Sequence, residues 1–367
     1  MAYSFGSRTE RDLEFSAGEL TGALGDSVTV LPLLVALGAT TSVSLPHVLV
    51  GFGVFQIVWG LHYGLPISVE PMKALVGLAI VGALSYAELA AAGLLAGGVL
   101  LAVGRLGLVG RLQQVVGEPV IRGVQFAVAL LLLEAAVDLS VGNLPAAAAG
   151  LGVVGLLALV GRARASALVV LGLGAVAAVA TAGVPTPTAP ALAVFPAGRP
   201  ALSVAALEGT VAQLGMTIGN AAIATALLCG DLYDREVSAD ALSRSMGVTC
   251  LAAIPLGGVP MCHGSGGLAG KYAFGARTGG ANVLLGVGYL ALALVAAGTV
   301  LAAFPMALLG VLLVVVGAQL ARAAFDPVDD PRSLALVAGV GAVGAVVNVG
   351  VAFVAGAVAF WLLSRAE

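Results

Sequence analysis

From position 22 to 363 the chain is a succession of apolar runs of roughly 15 to 22 residues, interrupted by short polar or Gly/Pro-rich breaks. Runs of that length, repeated that often, cannot all be hidden from water in one soluble core. The chain is 60% hydrophobic and only 10% charged, against about 25% charged in a soluble domain. We therefore read a multi-pass, all-α membrane protein. Aromatic residues make up 5% and glycine alone numbers 52, so the helices are expected to touch through small residues that let backbones approach closely. A net charge of -3 with no concentrated run gives nucleic-acid binding no support. Cys229, Cys250 and Cys262 are too scattered for a disulfide framework or zinc site and read as packing residues. Neither a metal nor a cofactor is expected, and no nucleophile–base pair that would mark an enzyme stands out.

The apolar runs fall at 22-38, 44-62, 65-84, 86-104, 116-137, 145-160, 166-182, 203-229, 242-257, 259-275, 281-303, 305-321, 333-346 and 348-363, about fourteen in all. Asn348 is the natural turn between the last two. With a polar N-terminus kept on the cytoplasmic side, an even count puts Arg105, Arg111, Arg162, Arg164, Arg235, Arg244, Lys271, Arg277, Arg322, Arg332 and Arg365 inside as well. Only Arg199 falls clearly outside, in the Pro-rich connection 183-202. The expectation is an inner-membrane protein with both termini cytoplasmic and no cleaved signal peptide. The connection divides the chain into 1-182 and 203-367, with seven runs on each side. An odd number of crossings per half implies an inverted repeat.

The third run of each half is broken in a similar way. The first reads GLPISVEPMKALVG over residues 64-77, and the second reads GVPMCHGSGGLAG over 258-270. Pro66 and Pro71 cannot both sit inside a regular helix at little cost, and Gly264, Gly266 and Gly267 also disfavour one. Non-helical backbone at membrane depth survives only where protein or a wet cavity satisfies it. Each stretch is thus expected to be an extended segment leading into a half-helix, with Pro71 in the first turn of one of them. Two half-helix N-termini aimed at one spot would form an anion site from N–H groups and dipoles, at Met72 and at Gly264, Ser265 and Gly266, with Lys73 adding a full charge.

Polar residues inside the other runs complete the candidate site. Asp26 and Thr29 share a face of the first run, beside a break expected at Pro32. They read as an ion relay or substrate acceptor, or else as a tie to a neighbouring helix. Gln213, Thr217 and Asn220 fall at i, i+4 and i+7 of the eighth run, either facing a ligand or joining helices. Glu118, Arg122 and Gln125 repeat that spacing but read as a structural ion pair outside the site. His263 could equally contact a ligand or be a satisfied polar residue.

GALGDSVTVLPLLVAL, PISVEPMKALVGLAI, QLGMTIGNAAIATALLCGDLY and GGVPMCHGSGGLAGKYAFGAR together resemble the molybdate transporter family, a relative of the sulfate permeases, over about residues 16-330. The resemblance implies a seven-plus-seven inverted repeat with a core of spans 1-4 and 8-11, and a gate of spans 5-7 and 12-14. It further implies a tetrahedral oxyanion held between spans 3 and 10, and frequent homodimers. The chain has Glu70 where the family often has Gln, and Gly215 where the family often has Pro.

The expected function is secondary active uptake of molybdate, or of a similar oxyanion such as tungstate or sulfate, by alternating access. Met72, Lys73, Gln213, Thr217, Asn220, His263, Gly264, Ser265 and Gly266 would bind the substrate. Asp26, Thr29 and Glu70 would handle a coupling proton or sodium ion. The alternatives are a sulfate or nucleobase permease of the same fold, or an anion channel.

Overall fold

The computed structural model describes residues 13–191, 193–296, 298–326 and 328–365. In chain order the first half forms α1 (Ala17–Thr40), α2 (Leu45–Tyr63), β1 (Ser68–Pro71), α3 (Lys73–Ile80), α4 (Tyr86–Leu106), α5 (Val109–Val116), α6 (Glu118–Val141), α7 (Leu144–Leu159) and α8 (Ser166–Ala182). The second forms α9 (Val204–Met216), a π turn (Thr217–Ile223), α10 (Ala224–Tyr233), α11 (Ala239–Ala253), β2 (Met261–Gly264) and α12 (Ser265–Ala273). It ends with α13 (Gly280–Val295), α14 (Gly298–Ala302), α15 (Met306–Phe325), α16 (Pro331–Val346) and α17 (Val349–Arg365). Every expected apolar run carries a helix or half-helix.

Among the described residues, seven helical segments are long and apolar enough to cross a membrane, and α7, α13, α16 and α17 are shorter apolar helices. The chain is a multi-pass membrane protein. Asn348 forms the expected turn: its side-chain oxygen accepts from the N–H groups of Gly350 (2.7 Å) and Val351 (3.1 Å), starting α17.

The break expected at Pro32 does not form, and α1 runs through it. A single missing N–H inside a packed bundle can be compensated by neighbouring groups. Pro71 also differs from expectation. It ends β1 instead of entering the half-helix, so Met72 is the cap and Lys73 is the first helical residue.

Glycines set the close contacts. α2 lies along α13 and α4 along α11. A methyl group on Gly53 would stand 2.8 Å from the Gly286 carbonyl oxygen, and one on Gly247 would stand 2.7 Å from that of Gly97. Both helix pairs therefore meet backbone to backbone, as the glycine content implied. α6 packs along α15 and α16.

β1 and β2 pair antiparallel, with Ser68 opposite Gly264, Val69 opposite His263, Glu70 opposite Cys262 and Pro71 opposite Met261. Since strand side chains alternate between faces, Ser68, Glu70, Cys262 and Gly264 share one face, while Val69, Pro71, Met261 and His263 share the other.

Candidate functional site

The first face carries charge. Lys73 reaches back from the start of α3 to place its ammonium 2.5 Å from Glu70 Oε2. Glu70 is 1% exposed, whereas the Lys73 side chain is 22% exposed. The lysine thus stands at the rim of the site and the acid beneath it. The other oxygen of Glu70 lies against Gly264 and Gly267, where α12 begins.

Beneath this pair lies a second, wholly buried one. Asp26 Oδ2 is 3.2 Å from the Lys271 ammonium, and neither side chain is exposed. Lys271 also donates to Asn282 Oδ1 (2.5 Å) and Gln56 Oε1 (3.5 Å). Those two amides in turn donate to the carbonyls of Ile67 (2.6 Å, from Asn282) and Val69 (3.1 Å, from Gln56), and Gln56 also donates to Asp26 Oδ2 (3.4 Å). A buried ion pair is tolerable only when further hydrogen bonds complete its shell. Here that shell also ties down the backbone of the first broken segment.

Lys271 therefore corrects the sequence reading, which counted it as a cytoplasmic charge. Its position inside the 259-275 run was the available signal. Ser68, Gln56 and Asn282 were missed as well; each is a polar residue within or at the edge of an apolar run. Glu19 was also missed. It is buried and accepts from the N–H groups of Arg277 (2.9 Å), Thr278 (2.8 Å) and Ala281 (3.1 Å), clasping the turn before α13 to α1.

The two half-helix starts are not equivalent. At α3, Met72 is buried and its N–H goes to the Pro260 carbonyl (2.9 Å), while Gln213 Oε1 accepts from Ala74 (2.9 Å) and Leu75 (3.3 Å). Gln213 is thus a cap for α3, and its donor goes to Thr217 Oγ1 (2.9 Å). At α12, among the described residues, no side chain of the capping residue Gly264 can close the end. Ser265 is half-buried, and Gly266 is exposed with open space beside its Cα. The start of α12 thus lacks a side-chain cap and is faced by the Glu70 carboxylate.

The remaining expected residues have partners of their own. Asn220 is half-buried in the π turn and donates to Gln125 Oε1 (3.1 Å) on α6, so Gln125 touches a candidate residue despite having been left outside the site. Thr29 Oγ1 bonds the Asp26 carbonyl in its own helix (3.3 Å) and does not join the carboxylate. His263 lies on the other face of the ladder. Its Nδ1–H donates to the Ser68 carbonyl (3.1 Å), which leaves Nε2 to accept from Ser245 (2.7 Å), and Trp59 and Tyr63 pack edge-on against its ring. Both nitrogens are occupied, and the ring ties the ladder to α11. Arg122 pairs with Glu118 (3.0 Å), as expected.

Cavities of about 360 Å³ and about 30 Å³ lie elsewhere, the first around Ser44, Leu301 and Met306, the second around Leu84, Gly209 and Asn348. Neither touches the charged cluster.

A family model described as "Molybdate transporter of MFS superfamily" matches residues 18–132 and 205–320. Molybdate transporter 1 of Arabidopsis thaliana is 32% identical, with 84% of this chain and 80% of the relative covered. Molybdate transporter 2 of the same plant is also 32% identical, covering 84% and 79%. Among solved structures, the transmembrane domain of the cyanobacterial bicarbonate transporter BicA superposes with a TM-score of 0.67 at 18% identity, covering 92% of this chain and 97% of that one. The murine anion transporter Slc26a9, in its inward-facing state, gives 0.68 at 14% identity, covering 96% and 68%. The fold is similar to that of these transporters.

Proposed function

The chain belongs to the molybdate transporter family, and from that premise we propose that it carries molybdate, or a closely similar tetrahedral oxyanion, across the cytoplasmic membrane by alternating access. The observation that carries this reading is the half-exposed arrangement at the ladder: a rim lysine, Lys73, beside the uncapped start of α12. A helix start offers unbonded N–H groups and a positive dipole end, and a lysine adds mobile charge. Ser265, Gly266 and Lys73 form the primary contacts in this proposal. Asn220 on the π turn approaches from the facing helix, and π turns inside helices are frequent at functional sites. Gln213 and His263 act by holding the two broken segments in position.

The division into a moving core (α1–α4 and α9–α13) and a gate (α6–α8 and α15–α17), related by an inverted repeat, is part of the proposal. Its support is the antiparallel meeting of two broken segments from opposite halves, and the fall of the two family-matched stretches, near-equal in length, on either side of the Pro-rich connection. Coupling to an ion is likewise proposed, with Asp26 and Glu70 as its residues and both termini in the cytoplasm.

Uptake of labelled molybdate into proteoliposomes tests the reading. Accumulation against a gradient, competed by tungstate or sulfate, is the expected result. Absence of any molybdate flux would overturn it, and flux that only equilibrates, with unitary currents in a planar bilayer, would replace it with a channel.

A further inference from the structure

The Pro-rich connection is bonded to the helices it crosses. The Thr188 N–H donates to the Leu294 carbonyl in the last turn of α13 (2.8 Å). That of Phe195 donates to Pro255 (2.7 Å), in the short turn Ile254–Leu256 after α11, and that of Ala201 to Ala87 (2.9 Å), in the first turn of α4. A fourth link runs the other way. His47, in the first turn of α2, donates from Nε2 to the Ala191 carbonyl (2.8 Å), while its Nδ1 accepts from the Ser44 hydroxyl (2.7 Å). A proline-rich segment has few backbone donors to place, and these links reach four different helices at one end of the bundle.

The fit is built residue by residue. Phe195 holds a left-handed φ of 52°, which a bulky residue keeps only where its surroundings over-determine it. Its half-buried ring packs against the apolar core. Gly257, at φ 83°, lets Pro196 and the start of α2 meet: a methyl group there would stand 2.6 Å from Pro196 Cγ and 3.0 Å from His47 Cβ. Residues 184–187 differ in every respect. Among the described residues, none of them makes a hydrogen bond, and Val184 is 84% exposed. Gly183 ends α8 just before them, also at φ 83°.

The four anchored helices are the two pairs that meet through glycine, α2 with α13 and α4 with α11. Away from the connection, Trp59 donates to Thr249 (2.8 Å) and Tyr63 to Ser245 (2.9 Å), tying α2 to α11. We infer that residues 188–201 are a belt fastening the other ends of these helices, so that both pairs move as one body, and that residues 183–187 are the tether through which this body moves relative to α8. Among the described residues, no hydrogen bond joins 188–201 to α6–α8 or α15–α17. Fully extended, the tether reaches roughly 17 Å, which limits the displacement. For the motion the inference rests on the core-and-gate reading, and it adds that the connection travels with the core.

The test uses the full chain in lipid bilayers. Hydrogen exchange resolved by residue needs no substrate: the amides of Thr188, Phe195 and Ala201 should exchange at least about tenfold more slowly than those of Val184 and Thr186. Equal rates would overturn the belt. A His47→Cys and Ala191→Cys pair, with Cys262 replaced, should take up molybdate at the same rate oxidised and reduced, because the two positions move together; a loss on oxidation would also overturn the belt. Deleting Thr186 and Pro187 should slow uptake about tenfold with exchange at Phe195 unchanged, and uptake at the native rate would refute the tether. Should the shortened chain fail to insert, a short Gly/Ser insertion after Val184 carries the test: uptake should stay at the native rate, and its loss would refute the tether. If the exchange pattern is as expected but the native chain takes up no molybdate, the oxyanion reading fails and the belt stands.

Discussion

Lys73 and Lys271 have the same chemistry in opposite settings, and the difference assigns their roles. Lys271 is fully buried, with Asp26, Asn282 and Gln56 around it, so it is a structural charge. Removing one member of such a pair strands the other, at about 3 to 5 kcal/mol, whereas replacing both by apolar groups costs far less. Asp26→Asn should therefore lower the thermal unfolding midpoint more than Asp26→Leu combined with Lys271→Met does; equal losses would mean that the pair is not a coupled unit. Gly267 is the other residue whose identity the site dictates. Gly267→Ala should abolish transport, because its methyl group would stand 2.3 to 2.5 Å from oxygens of Glu70, Asp26 and Ser68 and force them to shift; transport at the native rate would show that their placement does not matter.

At the scale of elements, the broken segments were legible as breaks but not as strands. Pro66 and Pro71 mark where helix is broken in the first stretch, whereas in the second α12 starts at Ser265 and runs through Gly266 and Gly267, against expectation, so that only Gly264 and the residues before it are extended. The period was the missing information. Once residues 68–71 and 261–264 are a ladder, alternation alone puts Glu70 on the charged face and His263 on the opposite one. Helical spacing, applied to the same residues, gives no such separation. The polar stripe on α9 and the π turn was legible too, but not its direction, because Gln213 turns to cap α3. Gln213→Ala should cost about 0.5 to 2 kcal/mol, the usual range for a lost cap, measured by chemical unfolding in detergent. No change would mean that water replaces the amide at no loss.

For the whole molecule, two side-chain hydrogen bonds among the described residues join the proposed core to the proposed gate. Asn220 meets Gln125, and Glu208 on α9 accepts from Asn348 (2.9 Å), with Gly350 packed against the Glu208 backbone. The second contact lies near the end at which the Pro-rich connection enters α9, and the proposed alternating access would require it to open. A Glu208→Cys and Asn348→Cys pair, in a background with Cys262 replaced, should stop uptake when cross-linked and recover on reduction; uptake unaffected by the cross-link would exclude relative motion of these groups. The multi-pass character was readable from run lengths because lipid imposes a minimum length on each crossing. Lys271 was not, because a charge near a span end looks the same in sequence whether it faces cytoplasm or a buried acid.

The central claim is that Lys73, at the rim of the ladder, supplies charge to a bound oxyanion. The direct measurement is molybdate binding to purified native protein and to Lys73→Ala at one mildly acid pH, by calorimetry. A charge-assisted hydrogen bond is worth about 1.5 to 3 kcal/mol, so the variant should bind roughly ten- to a hundredfold more weakly. Equal affinity in the two proteins would contradict the account.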